Sequence, residues 1–189
     1  MNDPIGVMAR NTKGGWIGTL AVAWAYVGFF GLIGAAIVRI WGYVQPLRTY
    51  DWRPFEWMVL AVTLLGMLYA EGWKGFYLKL APRFAARARF LRSNPTILRM
   101  LLAPFFCVGY FYAPRKRKIA SYALTFGIIL LVILVRKLDQ PWRGIIDAGV
   151  VVGLGFGLAS MAWTGLRLCL DPTWNPDPEV PTSPESSEH

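Results

Sequence analysis

Three carboxylates sit in or at the edge of apolar runs, and no other residues of the chain are as well placed for chemistry. They are Glu56 in "PFEWMVL", Glu71 in "MLYAEGWKGFY" and Asp147 in "PWRGIIDAGVV". Taking a carboxylate out of water is costly, so an acid within an apolar stretch is a candidate functional group unless a neighbour neutralises it. Each also has a structural account. Lys74 follows Glu71 by one α-helical turn, near enough for a boundary ion pair. Glu56 opens its apolar run, where negative charge suits a helix start. Asp147 follows Arg143 by one turn, but a helix beginning near Pro141 carries it more than a turn inward beside a glycine ridge. Asp147 is therefore the strongest of the three candidates. A cluster of Arg53, Glu56, Arg143 and Asp147 forms if their two helices are neighbours.

Other chemistries are closed by composition. The single histidine, His189, lies in a polar tail, so haem ligation by a His pair, an imidazole zinc site and a Ser-His-Asp arrangement have no residues to use. Cys107 and Cys169 are not spaced as a metal or redox motif, and each is expected to be a buried small hydrophobe. The chain carries no phosphate loop, paired metal motif or nucleophile elbow. No catalytic residue, metal or cofactor is expected.

The elements that position these acids are helices in a bilayer. Of 189 residues, 55% are hydrophobic and 16% charged, and the mean hydropathy is +0.39, which leaves too little polar surface to cover a soluble core. Uncharged runs extend over 14–38, 57–70, 100–113, 119–135 and 148–166. A helix of about 20 residues crosses a hydrocarbon core of about 30 Å, and flanking residues can make up a short run. The expected fold class is all-α, a polytopic membrane protein with four transmembrane helices plus a re-entrant or interfacial segment. Its membrane domain is 14–170, with spans near 14–38, 55–73, 119–135 and 145–166 and the interfacial or re-entrant segment at 82–113. Residues 1–13 form a cytoplasmic N-terminus. The first run is too long for a secretory signal and reads as a retained anchor.

Charge selects four spans over five. Seven basic residues fall between Lys74 and Arg99, and "RKRK" follows at 115–118. If 100–113 enters the bilayer and returns, 14 basic residues share one side against 6; if it crosses, the split is 12 against 8. Basic residues accumulate on the cytoplasmic side, which favours the first arrangement with both termini inside a bacterial inner (plasma) membrane. Pro104, Gly109 and the aromatic content of 100–113 also suit a re-entrant path. Four spans place Glu71 and Asp147 at opposite faces, whereas five put them on the same side.

The basic surface calls for anionic lipid, each residue near the headgroups contributing about 1 kcal/mol. Within "APRFAARARFLRSNP", Phe84, Ala88 and Leu91 share a helical face flanked by Arg83, Arg87 and Arg92, as in a short helix lying in the interface. Expected lipid contacts are Arg83, Arg87, Arg89, Arg92, Arg115, Lys116, Arg117 and Lys118. No nucleic-acid fold motif accompanies this charge, so no nucleic-acid partner is expected. The tail at 171–189 holds five acids, five prolines and no Lys or Arg, and is expected to be disordered.

Small residues define the packing faces. Gly14, Gly18, Ala21, Ala25, Gly28 and Ala35 recur at alternating steps of four and three, interrupted at Leu32, and Gly149, Gly153 and Gly157 form two overlapping GxxxG steps. Lipid is as apolar as leucine, so helices associate in a bilayer where small side chains let backbones approach. The second ridge serves internal packing, self-association, a partner subunit or a pore lining. Most tryptophans fall near span ends, as an interfacial belt does; Trp24 is mid-span without an evident partner.

The stretches "YAEGWKGFYLKLAPRFAARAR", "RKRKIASYALTFGIIL" and "PWRGIIDAGVVVGLGFGL" resemble conserved integral membrane proteins of bacteria and photosynthetic lineages that carry no assigned activity. That resemblance covers about positions 55–165 and implies a membrane protein without indicating a reaction. The expected function is a non-enzymatic membrane scaffold that assembles or stabilises a complex, with a membrane-protein partner or a homo-oligomer. The alternatives are a small transporter or channel subunit using Asp147, or a lipid-modifying membrane enzyme. In intact cells a Lys116→Cys variant is expected to resist a membrane-impermeant maleimide added outside; labelling there would replace the four-span map with a five-span one.

Overall fold

Long runs without charge or proline satisfy their backbone amides within the run by forming helices, and this chain does so almost throughout. The computed structural model describes residues 15–111, 113–171 and 174, and its regular elements are all helical, with no strand among the described residues. Helix α1 is Gly15–Val44, followed by a 3₁₀ turn at Gln45–Thr49. Helix α2, Pro54–Met67, runs without a break through a π-helical stretch, Leu68–Leu80, into α3, Ala81–Ser93. Two short helices follow, α4 (Ile97–Leu101) and α5 (Ala103–Val108). The chain then forms α6 (Arg115–Val135) and α7 (Trp142–Leu170).

Among the described residues three segments are long and apolar enough to cross a membrane, Gly15–Thr49, Pro54–Ser93 and Trp142–Leu170, which is compatible with a membrane protein. The segment expected to span at 119–135 lies in α6, whose apolar part, Ser121–Val135, is shorter than these three. The second expected span also has no end near 73, because the helix continues to Ser93. The expected N-terminus at 1–13 lies outside the described residues, as does the 171–189 tail apart from Asp171 and Trp174.

Helix α1 runs antiparallel to the Pro54–Ser93 rod and to α7. Near its start Gly18 meets the Arg92 carbonyl, and farther along the Tyr26 and Phe84 rings lie 4.9 Å apart. Phe29 then reaches Phe76 at 6.5 Å. Helix α7 lies parallel to α2, with Gly149 against Thr63 and Met67, Gly153 against Glu71, and Gly157 against Phe76. The fully buried side chains collect where α1, α3, α5 and the end of α7 meet, around Phe84, Leu91, Phe106 and Met161.

That core corrects the expectation of a short interfacial helix within 82–113. The stripe of Phe84, Ala88 and Leu91 exists and is buried, but it packs against Ala21, Ala25 and Phe29 rather than against lipid. The signal was a true amphipathic face; its partner is protein. Beyond α3 the chain turns and rises beside α1, from the level of Gly18 to that of Gly28, where Pro104 Cγ lies 2.5 Å from the position of a Cβ. On this ascent Trp24 Nε1 donates to the Leu101 carbonyl at 3.3 Å, supplying the partner that the sequence did not reveal. Gly109, at φ 102°, ends α5 in the left-handed region that glycine tolerates. The chain then turns back, so that the Phe106 and Phe111 carbonyls both accept from Arg87 Nη1.

Two smaller expectations fail. Cys169 is exposed, whereas Cys107 is buried. Ala35 is exposed, because the seam of small residues on α1 makes contact over Gly18, Ala21, Ala25 and Gly28 and then parts from its neighbours. Helix α6 stands apart from the bundle. Every residue from Phe126 to Leu134 is exposed, and the ring contact of Tyr122 with Tyr110 lies near its start.

The ridge makes the packing testable within one helix. A Cβ on Gly157 would lie 2.6 Å from Phe76 Cγ, whereas one on Gly155 meets nothing within 4 Å. Gly157→Ala is expected to destabilise the detergent-solubilised protein by about 1–3 kcal/mol through overpacking, and Gly155→Ala to cause no loss, as read by denaturant unfolding followed through tryptophan fluorescence.

Candidate functional site

The three sequence-selected acids have different surroundings. Glu56 closes the start of α2: its Oε2 accepts the Arg53 N–H at 2.9 Å and its Oε1 accepts the Tyr50 hydroxyl at 3.2 Å. The residue is 6% exposed, and its charge lies at a helix N-terminus, where the backbone dipole favours it. Proline at the first helical position sets the geometry. Glu56 is thus held as a capping group.

Asp147 is held as well. Arg143 Nε lies 3.7 Å from its Oδ2, and the same guanidinium sits 3.8 Å from the centre of the Tyr43 ring near the end of α1. Gln140 fastens the same corner: its Nε2 donates to the Tyr43 carbonyl at 3.2 Å, and its Oε1 accepts the Gly144 N–H at 3.3 Å. Phe55 and Trp142 approach to 6.5 Å between ring centres, so the starts of α2 and α7 are neighbours. The expected cluster of four charges therefore resolves into two local arrangements, Arg53 with Glu56 and Arg143 with Asp147.

Glu71 departs from its expected pairing. Lys74 Nζ points over the Tyr69 ring at 4.9 Å instead of toward the carboxylate. Both residues lie in the π-helical stretch, where a turn takes more residues than in an α-helix and a side chain three positions on is rotated farther away. The Glu71 carboxylate rests against α7, its Oε2 3.2 Å from where a Cβ on Gly153 would be. Gly153 is six residues from Asp147 on one helix, a rise of about 9 Å. The two acids consequently do not sit at opposite ends of the bundle, as the four-span reading expected, nor are they adjacent.

The expected lipid-contact residues also divide. Arg92, Arg115 and Lys118 are exposed, Arg83 and Arg89 are half-buried, and the side chains of Lys116 and Arg117 lie outside those described. Arg87 is 2% exposed and faces inward, donating through Nη1 to the Phe106 carbonyl at 2.9 Å and the Phe111 carbonyl at 3.3 Å. Its guanidinium carbon lies 5.2 Å from the centre of the Phe106 ring. Arg87 is thus no headgroup contact. It supplies donors to carbonyls at the end of α5, where Gly109 terminates the helix. Arg89 donates to the Trp174 carbonyl at 2.8 Å, and Arg167 lies 3.8 Å from Asp171, so the described part of the tail sits on basic residues.

Of the small residues selected for helix packing, Gly18, Ala21, Ala25 and Gly28 on α1 and Gly149, Gly153 and Gly157 on α7 lie at helix contacts, Ala35 does not, and Gly14 lies outside the described residues. Sequence reasoning missed Gly72, which receives Phe156, as well as Gly144 under Leu47 and Gly165 under Tyr26. Gly165 extends the spacing of the ridge by two further steps of four and could have been found from that. Buried hydroxyls satisfy themselves locally: Ser160 Oγ donates to the Phe156 carbonyl at 2.8 Å and Thr164 Oγ1 to the Ser160 carbonyl at 3.0 Å. Among the described residues no group of three or more His, Cys, Asp or Glu is arranged to hold a metal ion. Comparison with protein-family models, with curated proteins and with solved structures gives no match.

Arg87→Leu removes donors from two carbonyls in a dry site and is expected to lower unfolding stability by about 1–3 kcal/mol. Arg92→Leu alters an exposed side chain and is expected to stay within about 0.5 kcal/mol in the same measurement.

Proposed function

We propose that the chain is a non-enzymatic integral membrane protein that scaffolds, assembles or stabilises a membrane complex. The observation that carries this reading is helix α6, an apolar helix left exposed on all sides from Phe126 to Leu134 while the other long helices close on one another. The glycine ridge of α7 is already occupied by Thr63, Met67 and Phe76 and by Glu71, which leaves α6 as the surface for a partner helix. Gly127, with nothing within 4 Å of a Cβ position, gives that surface one point of close approach.

In this reading α6 is the third of four crossings and 82–113 returns to its side of entry. The rise of the chain beside α1 to Pro104 and the turn that brings the Phe106 and Phe111 carbonyls together on Arg87 support that path. The termini and most of the basic residues then face the cytoplasm of a bacterial inner membrane, with exposed Arg92, Arg115 and Lys118 toward anionic headgroups. A transporter built on Asp147 has less support, since Arg143 already balances that carboxylate.

A photo-reactive residue at Ile129 is expected to give, in cells, a protein adduct of discrete mass, either a second copy of the chain or another membrane protein. The same probe at exposed Val38 on α1 is expected to give lipid adducts. Lipid adducts alone at both positions would remove the basis for the scaffold.

A further inference from the structure

Glu71 remains after Glu56 and Asp147 have been explained. Among the described residues no hydrogen-bond donor or cation pairs with it, although it is half-buried between two helices. Facing it on α7 is Gly153, which offers no polar side chain, and the ridge glycines on either side meet Thr63, Met67 and Phe76. Helix α7 carries Arg143 and Asp147 near its start and Arg167 near its end, with no charge between them. Helix α1 carries none from Gly15 to Val38. On its own helix the nearest cation is Lys74, which lies over Tyr69.

The depth of the site gives this isolation its consequence. Gly153 lies eleven residues beyond Trp142 on α7, a rise of about 16 Å, or about half of a 30 Å hydrocarbon core. A bare carboxylate at that depth is strongly disfavoured, and a counter-charge that the described residues do not supply has to come from solution. The surrounding backbone is π-helical, a geometry that recurs at functional sites and that here turns Lys74 away. We infer that Glu71 is a cation-binding site of the membrane domain, taking a proton or a sodium ion as its counter-charge. This goes beyond the scaffold reading and does not depend on it, because the site is built from the π-helical stretch and α7 while the scaffold surface is on α6.

The test uses the full chain in vesicles of phosphatidylcholine and phosphatidylglycerol, treated with dicyclohexylcarbodiimide. This apolar reagent adds to a protonated carboxyl: the carboxyl oxygen bonds to the carbodiimide carbon, the proton passes to nitrogen, and an acyl shift leaves a stable N-acylurea. Peptide mass mapping is expected to find that adduct on Glu71, with a yield that falls several-fold from acidic to alkaline buffer. Glu71→Gln is expected to lose it and Asp147→Asn to retain it. Sodium chloride lowering the yield at constant pH, where potassium chloride does not, would identify sodium as the ion; dependence on pH alone would identify the proton. Absence of an adduct on Glu71, or a yield indifferent to both pH and sodium, overturns the inference. Mapping the unaltered chain locates the adduct directly, so the outcome stands even if a variant fails to fold.

Discussion

The approach of two backbones across a glycine ridge is the constraint on which the rest of the molecule depends. Gly149, Gly153 and Gly157 leave α7 without side chains along one line, and Thr63, Met67, Glu71 and Phe76 fill that line. Gly72 returns the arrangement, admitting the Phe156 ring from α7. Close approach of backbones multiplies dispersion contacts between apolar helices, and contact of this closeness is what holds them together. With α7 fixed on one side by the ridge, Gly165 brings its far end against Tyr26 of α1, and Gln140 and Arg143 tie its near end to Tyr43. Three long helices are thereby located at both ends.

The second layer is built where the ridge ends. Helix α3 emerges from the π-helical stretch with Phe84, Ala88 and Leu91 facing α1, and the chain returns over it as α4 and α5. Short helices end in unpaired carbonyls, and in a dry core those groups need donors. Arg87 provides them, so a residue whose type suggests a water-facing charge instead organises the interior of the hairpin. Its aromatic neighbour Phe106 adds a favourable face for the guanidinium. Charge and packing are therefore joined in one side chain, and the basic character of this region is only partly available to the outside.

Much of this was legible in the sequence because spacing survives folding. The seam on α1 as far as Gly28 and the ridge on α7 are periodic, and each lies where its period directs it. The stripe of α3 was equally readable, but a period tells that a face will be covered without telling by what; hence the error over lipid and protein. Glu56 was correctly placed at a helix start and Asp147 more than a turn inside one, while Tyr50 and Gln140, which fasten the corners beside them, come from loops whose course no pattern encodes. The Lys74 expectation failed for a different reason. It assumed α-helical rotation between positions 71 and 74, and nothing in the local residue types announces the π-helical geometry. Only the glycines at 72 and 75, which remove side chains from the stretch, are in keeping with it.

The π-helical stretch lets one uninterrupted rod of 40 residues, Pro54–Ser93, answer to two neighbours. Its first part is phased to α7 and its last part to α1, and the widened turns act as a gear between these phases. Excising one residue there would advance everything beyond it by about 100°, carrying Phe84 and Leu91 off the α1 surface while leaving the ridge contacts upstream in place. The length of this stretch is consequently set more strictly than the identity of most residues in it: lineages of this chain would tolerate exchanges among its apolar positions long before they tolerated a change in their number.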